Sequence, residues 1–241
     1  MMLTAAALAK RELIKFWREK ARVAGFAAAP LLFWFLVSAG FNDFARFYGG
    51  SIALALMFSA VFSNMTLIDD RKEGFLAGVM VSPAPRPAIV LGKVGGSAML
   101  AWLQSLVFLF FLPLTGLVPG FFGVLGSLVV LALISLLFTL VGFLCAWKMP
   151  STQAFHGVVN MLLMPMWMLS GSLFRYGEAH PWMQIAMRLN PMTYAISLLN
   201  TCLGVEAPFA VGLSLAVLLG WTLALFGIAM FWVEKSEHAA A

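Results

Sequence analysis

Four methionines, Met161, Met164, Met166 and Met168, surround Pro165 inside a stretch with no charged residue. Clustered thioether sulfurs are the kind of ligand that holds a soft ion such as copper(I). Neither Cys nor His sits among them, and Met161, Met164 and Met168 recur at helical spacing. That pattern suits adaptable packing, or a flexible lining for bulky apolar cargo, better than a metal, and no metal ligands are assigned. A protein nucleophile needs a base beside it, yet His156, His180 and His238 are scattered along the chain. No catalytic residue is assigned either. A phosphate-cradling G-x-x-x-x-G-K-[ST] loop is missing, since Gly92-Lys93 is followed by Val94. The chain therefore reads as a non-enzyme that hydrolyses no ATP itself and binds no cofactor of its own. One charged segment stands out: Asp69, Asp70, Arg71, Lys72, Glu73 and Gly74, followed by the apolar Phe75 and Leu76. Acids first and apolar residues after them suit a short helix, cut off where Pro83, Pro85 and Pro87 crowd together.

The elements that carry these residues follow from composition. Hydrophobic residues make up 62% of the 241 and charged ones 10%, against about 25% charged in soluble domains. Uncharged runs cover 23–42, 47–68, 94–147, 149–174 and 207–233. About 20 apolar residues cross a bilayer, and a charge at mid-membrane is costly. The third run is long enough for two crossings, with Pro113, Gly116, Pro119 and Gly120 marking a turn. The expected fold is an all-α integral membrane domain over 1–241 with six spans, at 25–41, 48–68, 94–113, 122–147, 154–174 and 209–233. The alternating polarity of barrel strands is lacking.

Outside the spans, residues 1–24 predict an interfacial helix, with Leu3, Ala7, Ile14, Trp17, Ala21 and Ala24 on one side and Arg11, Lys15, Arg18, Glu19 and Arg22 opposite, although Leu8, Leu13 and Phe16 blur the pattern. More than twenty residues of charged sequence before the first span argue against a cleaved signal peptide. Residues 69–93 form the one substantial loop on the basic face, and 234–241 a tail. Within 175–206, Pro181 opens a short helix that Asn190-Pro191 stops, and a second apolar stretch ends at Gly204. Both are too short to span, so they are expected to dip into the outer leaflet and form a lid. Ser51, Ala55, Ser59 and Ser63 make a small-residue stripe for close helix approach in the second span.

Lys and Arg divide 12 to 3 between the two faces implied by six spans, which puts both termini in the cytoplasm. The net charge of +5 is thus a topology signal rather than a nucleic-acid footprint. A proton- or sodium-coupled carrier would show intramembrane carboxylates or repeated broken helices, and neither is visible in the sequence. That carrier and a membrane scaffold remain the alternatives to the reading below.

Asp70-Arg71-Lys72-Glu73-Gly74, then Val81-Ser82-Pro83, then Leu91-Gly92-Lys93 resemble the permeases of the ABC type-2 exporter family, in particular short bacterial members grouped with drug-resistance and nodulation-factor exporters. So do 169–174 (Leu-Ser-Gly-Ser-Leu-Phe), Pro181-Trp182 and 190–194 (Asn-Pro-Met-Thr-Tyr). The resemblance implies that Asp69 to Leu76 belong to a coupling helix seated on a separate ABC ATPase. It implies two copies of that ATPase, with ATP and Mg bound there, and a homodimer of permeases among membrane lipids of a bacterial inner membrane. It further implies that the second and fifth spans line a route, assigned here to Ser59, Ser63, Asn64, Asn160, Met161, Met164 and Met168. Ser170, Gly171, Phe174, Asn190, Pro191 and Tyr194 are then expected at an outer gate. The cargo class expected for an apolar, Met-rich lining is amphipathic, lipid-like or drug-like.

Overall fold

The computed structural model describes residues 2–18, 20–75, 78 and 86–235. Among them no strand occurs, as hydrocarbon demands of a chain whose backbone groups must be satisfied within each segment. The helices are α1 (Met2–Arg18), α2 (Lys20–Phe41), α3 (Phe44–Phe62), α4 (Met65–Lys72), α5 (Arg86–Leu109), α6 (Phe121–Lys148), α7 (Thr152–Trp167), α8 (Pro181–Leu189), α9 (Pro191–Leu203) and α10 (Val211–Lys235). The turn expected within the long uncharged run is a 3-10 helix, Leu112–Thr115, ended by Gly116 in the left-handed conformation (φ 73°).

Among the described residues, four stretches are long and apolar enough to cross a membrane: Phe44–Lys72, Pro87–Leu109, Phe121–Lys148 and Val211–Lys235. The expected first span contributes a shorter apolar stretch, Ala28–Phe41. The expected fifth falls on α7, whose 16 residues rise about 24 Å, short of the roughly 30 Å hydrocarbon core. Its early end has a local cause. Pro165 withholds an N–H from the helix ladder, and the chain then passes into a π turn, Met168–Ser172, with Gly171 at φ 89°.

α3 and α6 occupy the centre, with most of α3 buried and the buried residues of α6 concentrated in its second half. The small-residue stripe does what its spacing predicts, because Ser51, Ala55, Ser59 and Ser63 are all buried in packing. Glycines set the closest approaches: a Cβ at Gly142 would lie 2.7 Å from the Val61 carbonyl oxygen, and one at Gly50 would strike Ser172. Aromatic side chains tie the layers together through their polar ends. Tyr48 donates to the Phe108 carbonyl at 2.6 Å, Trp167 to Gly50 at 2.8 Å and Trp34 to Phe44 at 3.2 Å.

α9 is the largest departure from expectation. Instead of skimming the surface as a lid, it is buried from Pro191 to Leu199 and packs against α3, α6 and α10. Its ends are where the sequence puts them, with the Asn190 side chain accepting from the Met192 N–H and Gly204 closing the helix at φ 77°. α8, by contrast, exposes Trp182, Ile185 and Leu189 on one side.

The contact between α3 and α6 is sensitive to a single methyl group. Gly142→Ala should cost about 1–3 kcal/mol by overpacking and lower the unfolding temperature in detergent, while Gly227→Ala, which meets nothing within 4 Å, should not. Equal melting of the two variants would mean that the helices separate freely at Gly142.

Candidate functional site

At one end of the bundle the chain buries charge. Asp70, near the end of α4, is fully buried and accepts both Nη atoms of Arg11, at 3.0 and 2.9 Å, the Lys15 ammonium at 3.3 Å and the Lys93 ammonium. Lys93, on α5, is 3% exposed and also donates to Glu12 of α1 at 2.5 Å. Glu12 is 2% exposed, and its other oxygen accepts from the Thr66 hydroxyl at 2.8 Å. Three helices thus meet on one cation and two carboxylates, with Arg11 and Lys15 at the rim. The Arg11 fork pairs bidentately with Asp70, a planar match that an ammonium cannot make. That hydrogen bond raises the Arg11 guanidinium above its ordinary range against an opposing cost of burial. The guanidinium also lies 3.8 Å from the Phe75 ring centroid.

Close backbone approach makes the cluster reachable. A Cβ at Gly96 of α5 would meet the Ala9 Cα at 2.9 Å, so α1 lies directly on α5. α1 turns Leu8 and Glu12 inward and leaves Ala7 and Ile14 outward. The side opposite the apolar one is therefore partly spent within the chain: Arg11 and Lys15 face Asp70. Of the other residues assigned to that helix, the side chains of Leu3, Trp17, Arg18, Ala21, Arg22 and Ala24, and all of Glu19, lie outside what is described.

The next residue makes a second anchor. Arg71 donates to the carbonyls of Ala146 (2.9 Å), Trp147 (2.8 Å) and Met149 (3.2 Å). It thereby satisfies orphan acceptors at the C-terminus of α6, where a cation also complements the helix dipole. Asp70, expected to face an ATPase, is thus enclosed by the chain, and Arg71, although exposed, spends its donors on the end of α6. Asp69 is half-buried, and Lys72, Glu73 and Gly74 are exposed. Gly74 takes φ 76°, the left-handed conformation that ends α4 and turns the chain outward. Phe75 lies half-buried under Arg11, while Leu76 is outside the described residues.

The residues assigned to a route separate into two groups. Ser59, Ser63 and Asn64 are buried within the chain: Ser59 bonds Gln104, Ser63 the Ala60 carbonyl, and Asn64 the carbonyls of Ala60 and Thr139. In this conformation Ser59 and Asn64 tie helices together, Ser63 bonds within its own segment, and all three are buried. Asn160, Met161 and Met164 instead share the exposed side of α7, with Met161 83% exposed, opposite the buried row Phe155, Val159, Leu163 and Trp167, and Met168, which begins the π turn, is exposed as well.

The residues assigned to a gate converge at the other end. Asn190 donates to the carbonyls of Met166 (2.5 Å) and Leu169 (3.2 Å), and Thr193 to Leu169, which supplies partners lost where α7 breaks. Ser170 bonds the Trp167 carbonyl and Ser172. Pro191 starts α9, Gly171 makes the turn, and Tyr194 reaches back to the Arg188 carbonyl at 2.9 Å. Phe174 stands apart, exposed beyond the break.

Comparison with known proteins agrees with this architecture. The ABC-2 type transporter family matches residues 5–203, most of the chain. The chain belongs to that family. Relatives named transport permease ycf38 are 27% identical over 203 residues in Cyanophora paradoxa and 25% identical over 209 residues in Porphyra purpurea. These matches cover 78% and 79% of this chain and 70% of each relative. This ABC-2 member is accordingly a multi-pass membrane protein and a transport permease rather than an enzyme. Membership implies an ABC ATPase as partner in general. The matched segment includes Glu12, Asp70, Arg71 and Lys93, so the ion network lies within the family domain.

Sequence reasoning missed Glu12 and read Lys93 only as part of a motif. The available signal was the blurred pattern of the first helix, since Leu8 interrupts the expected polar arc one turn before Glu12. Lys93→Met leaves two carboxylates buried around a missing cation and should destabilise the permease by about 3–5 kcal/mol. Lys72→Met, at an exposed position, should stay within about 0.5 kcal/mol. Unfolding of both variants in detergent checks this, and indistinguishable stabilities would remove the network from the forces holding α1 in place.

Proposed function

We propose that this permease is the membrane half of an ATP-driven exporter that moves an amphipathic, lipid-like or drug-like substrate outward by alternating access. The observation that carries the reading is the division within 69–75: Lys72, Glu73 and Gly74 project, while Asp70 and Arg71 root the segment in α1, α5 and α6. A projecting tip held this firmly is suited to receive a push and pass it on. Two ABC ATPases, carrying the ATP and Mg, would seat one such tip each and draw two permeases together at a two-fold axis.

The charged end is cytoplasmic in this reading, with both termini there and the protein in a bacterial inner membrane. α2 and α7 complete six crossings, α7 by way of its π turn. The exposed side of α7 then faces the second permease and the cargo path, where methionines adapt to varied apolar shapes. α8, with Trp182 outward, rests in the outer interface as a lid, consistent with the preference of Trp for that layer. The chain remains a single domain over 1–241, with 69–93 as its coupling loop. An ion-coupled carrier is less well supported, because Glu12 and Asp70 are each bonded to cations at one end of the bundle rather than spaced along a path.

Two measurements test this. Glu73→Ala should reduce recovery of an ABC ATPase with the permease from native membranes several-fold, with the protein still inserted and abundant. An undiminished complex would remove Glu73 from the contact, and no ATPase with the unaltered permease would favour the carrier or a scaffold. Met161→Cys should give a disulfide-linked dimer on mild oxidation in membranes, whereas a monomer under all oxidants would place the second copy elsewhere.

A further inference from the structure

At the end of the bundle opposite the ion network, the start of α3, the segment after α7, and α9 with the loop that follows it line a cavity of about 480 Å³. Its lining is unusual for a membrane protein surface. It carries two guanidiniums, Arg46 and Arg175, and three carboxylates, Asp43, Glu178 and Glu206, together with the Asn200 amide and a minority of apolar side chains. Charges of both signs are only partly satisfied by the protein. Arg175 pairs with Glu178 at 3.3 Å, both well exposed. Arg46 spends one N–H on the Leu173 carbonyl at 3.3 Å, and Asp43 spends one oxygen capping α3. The Asn200 side-chain oxygen is buried with no hydrogen-bond partner and lies where a side chain on Gly49 would stand. The hydroxyls nearby are already committed, Ser197 to Phe209 and Tyr176 to Arg188.

The cavity therefore gathers guanidiniums and carboxylates around one space, with an amide between the helices beneath. A lone anion would meet three carboxylates, and a lone cation two guanidiniums. A small molecule bearing both an ammonium and a phosphate or carboxylate answers both kinds of charge at once, with N–H···O bonds to carboxylate and Arg N–H bonds to the anion. We infer that this cavity is a binding site for a zwitterionic ammonium-phosphate group, with Arg46 and Arg175 on the anion and Glu206 and Asp43 on the ammonium. The site is built on the π turn, because Ser170 and Gly171 form part of its wall, so occupancy bears directly on the break that ends α7. That the ligand arrives from outside rests on the proposed orientation. The existence of the site does not.

The test uses the full chain in detergent and in nanodiscs, with O-phosphoethanolamine as the probe and inorganic phosphate and ethanolamine as its halves. O-phosphoethanolamine should raise the unfolding temperature in a saturable way, while either half alone binds at least tenfold more weakly. Glu206→Gln, on an exposed loop, and Arg175→Gln should each weaken the probe at least tenfold without changing the unfolding temperature of the free protein. In phosphatidylglycerol nanodiscs the probe should still bind. Its loss in nanodiscs containing phosphatidylethanolamine identifies the lipid headgroup as the occupant, and equal binding in both identifies a free solute. No effect of the probe in detergent, equal effects of its halves, or unchanged affinity in both variants would overturn the assignment. None of these readouts requires an ATPase, so failure of the exporter reading leaves the result interpretable.

Discussion

Burying Lys93 between Glu12 and Asp70 constrains the architecture at the charged end more tightly than any other contact there. An ammonium with 3% exposure is stable only while both carboxylates stay within hydrogen-bond reach. They come from α1 and α4, so neither helix can shift relative to α5 without stranding a charge. The requirement explains the close crossing at Gly96, the inward turn of Glu12 and the rigid root of the segment beginning at Lys72. Such a network contributes little net stability against an apolar replacement, yet it penalises every alternative arrangement of the three helices.

Arg71 extends the same constraint to α6. Its three bonds to carbonyls at the end of that helix join α4 to the most apolar span. Displacement of the exposed tip at 72–74 would have to be transmitted to α1 and α5 through Asp70 and to α6 through Arg71, because both residues are held by charge-assisted or multiple hydrogen bonds. At the other end, Asn190 plays the corresponding part. It satisfies carbonyls freed at the break in α7 and caps α9 with the same side chain. The two ends are therefore organised by different devices, ion pairs at one and a capping amide at the other.

Much of the local structure was legible because it is written in residues with narrow conformational preferences. Gly116 and Gly204 end their elements with positive φ, Pro181 and Pro191 open theirs, and Pro165 precedes the break in α7. What could not be read was how far each helix goes under. Hydropathy gives the same signal for a helix facing lipid and one facing protein, so α9 reads as a surface dip although it lies in the core. The same ambiguity separates the route residues, since Ser59 and Met161 both sit in uncharged runs but one is sealed and the other open.

By itself the sequence determined the helical class, the punctuation of the helices and the one charged loop, because missing charges, prolines and glycines act locally. It also carried the family resemblance that the match over residues 5–203 bears out. Only the tertiary structure decided which charges are working surface and which are internal fasteners. Asp70 and Glu73 are near neighbours in one charged segment, yet the first is enclosed by three cations and the second is exposed. That difference depends on where α1 and α5 cross α4, and therefore on residues 23 to 81 positions away from their partners.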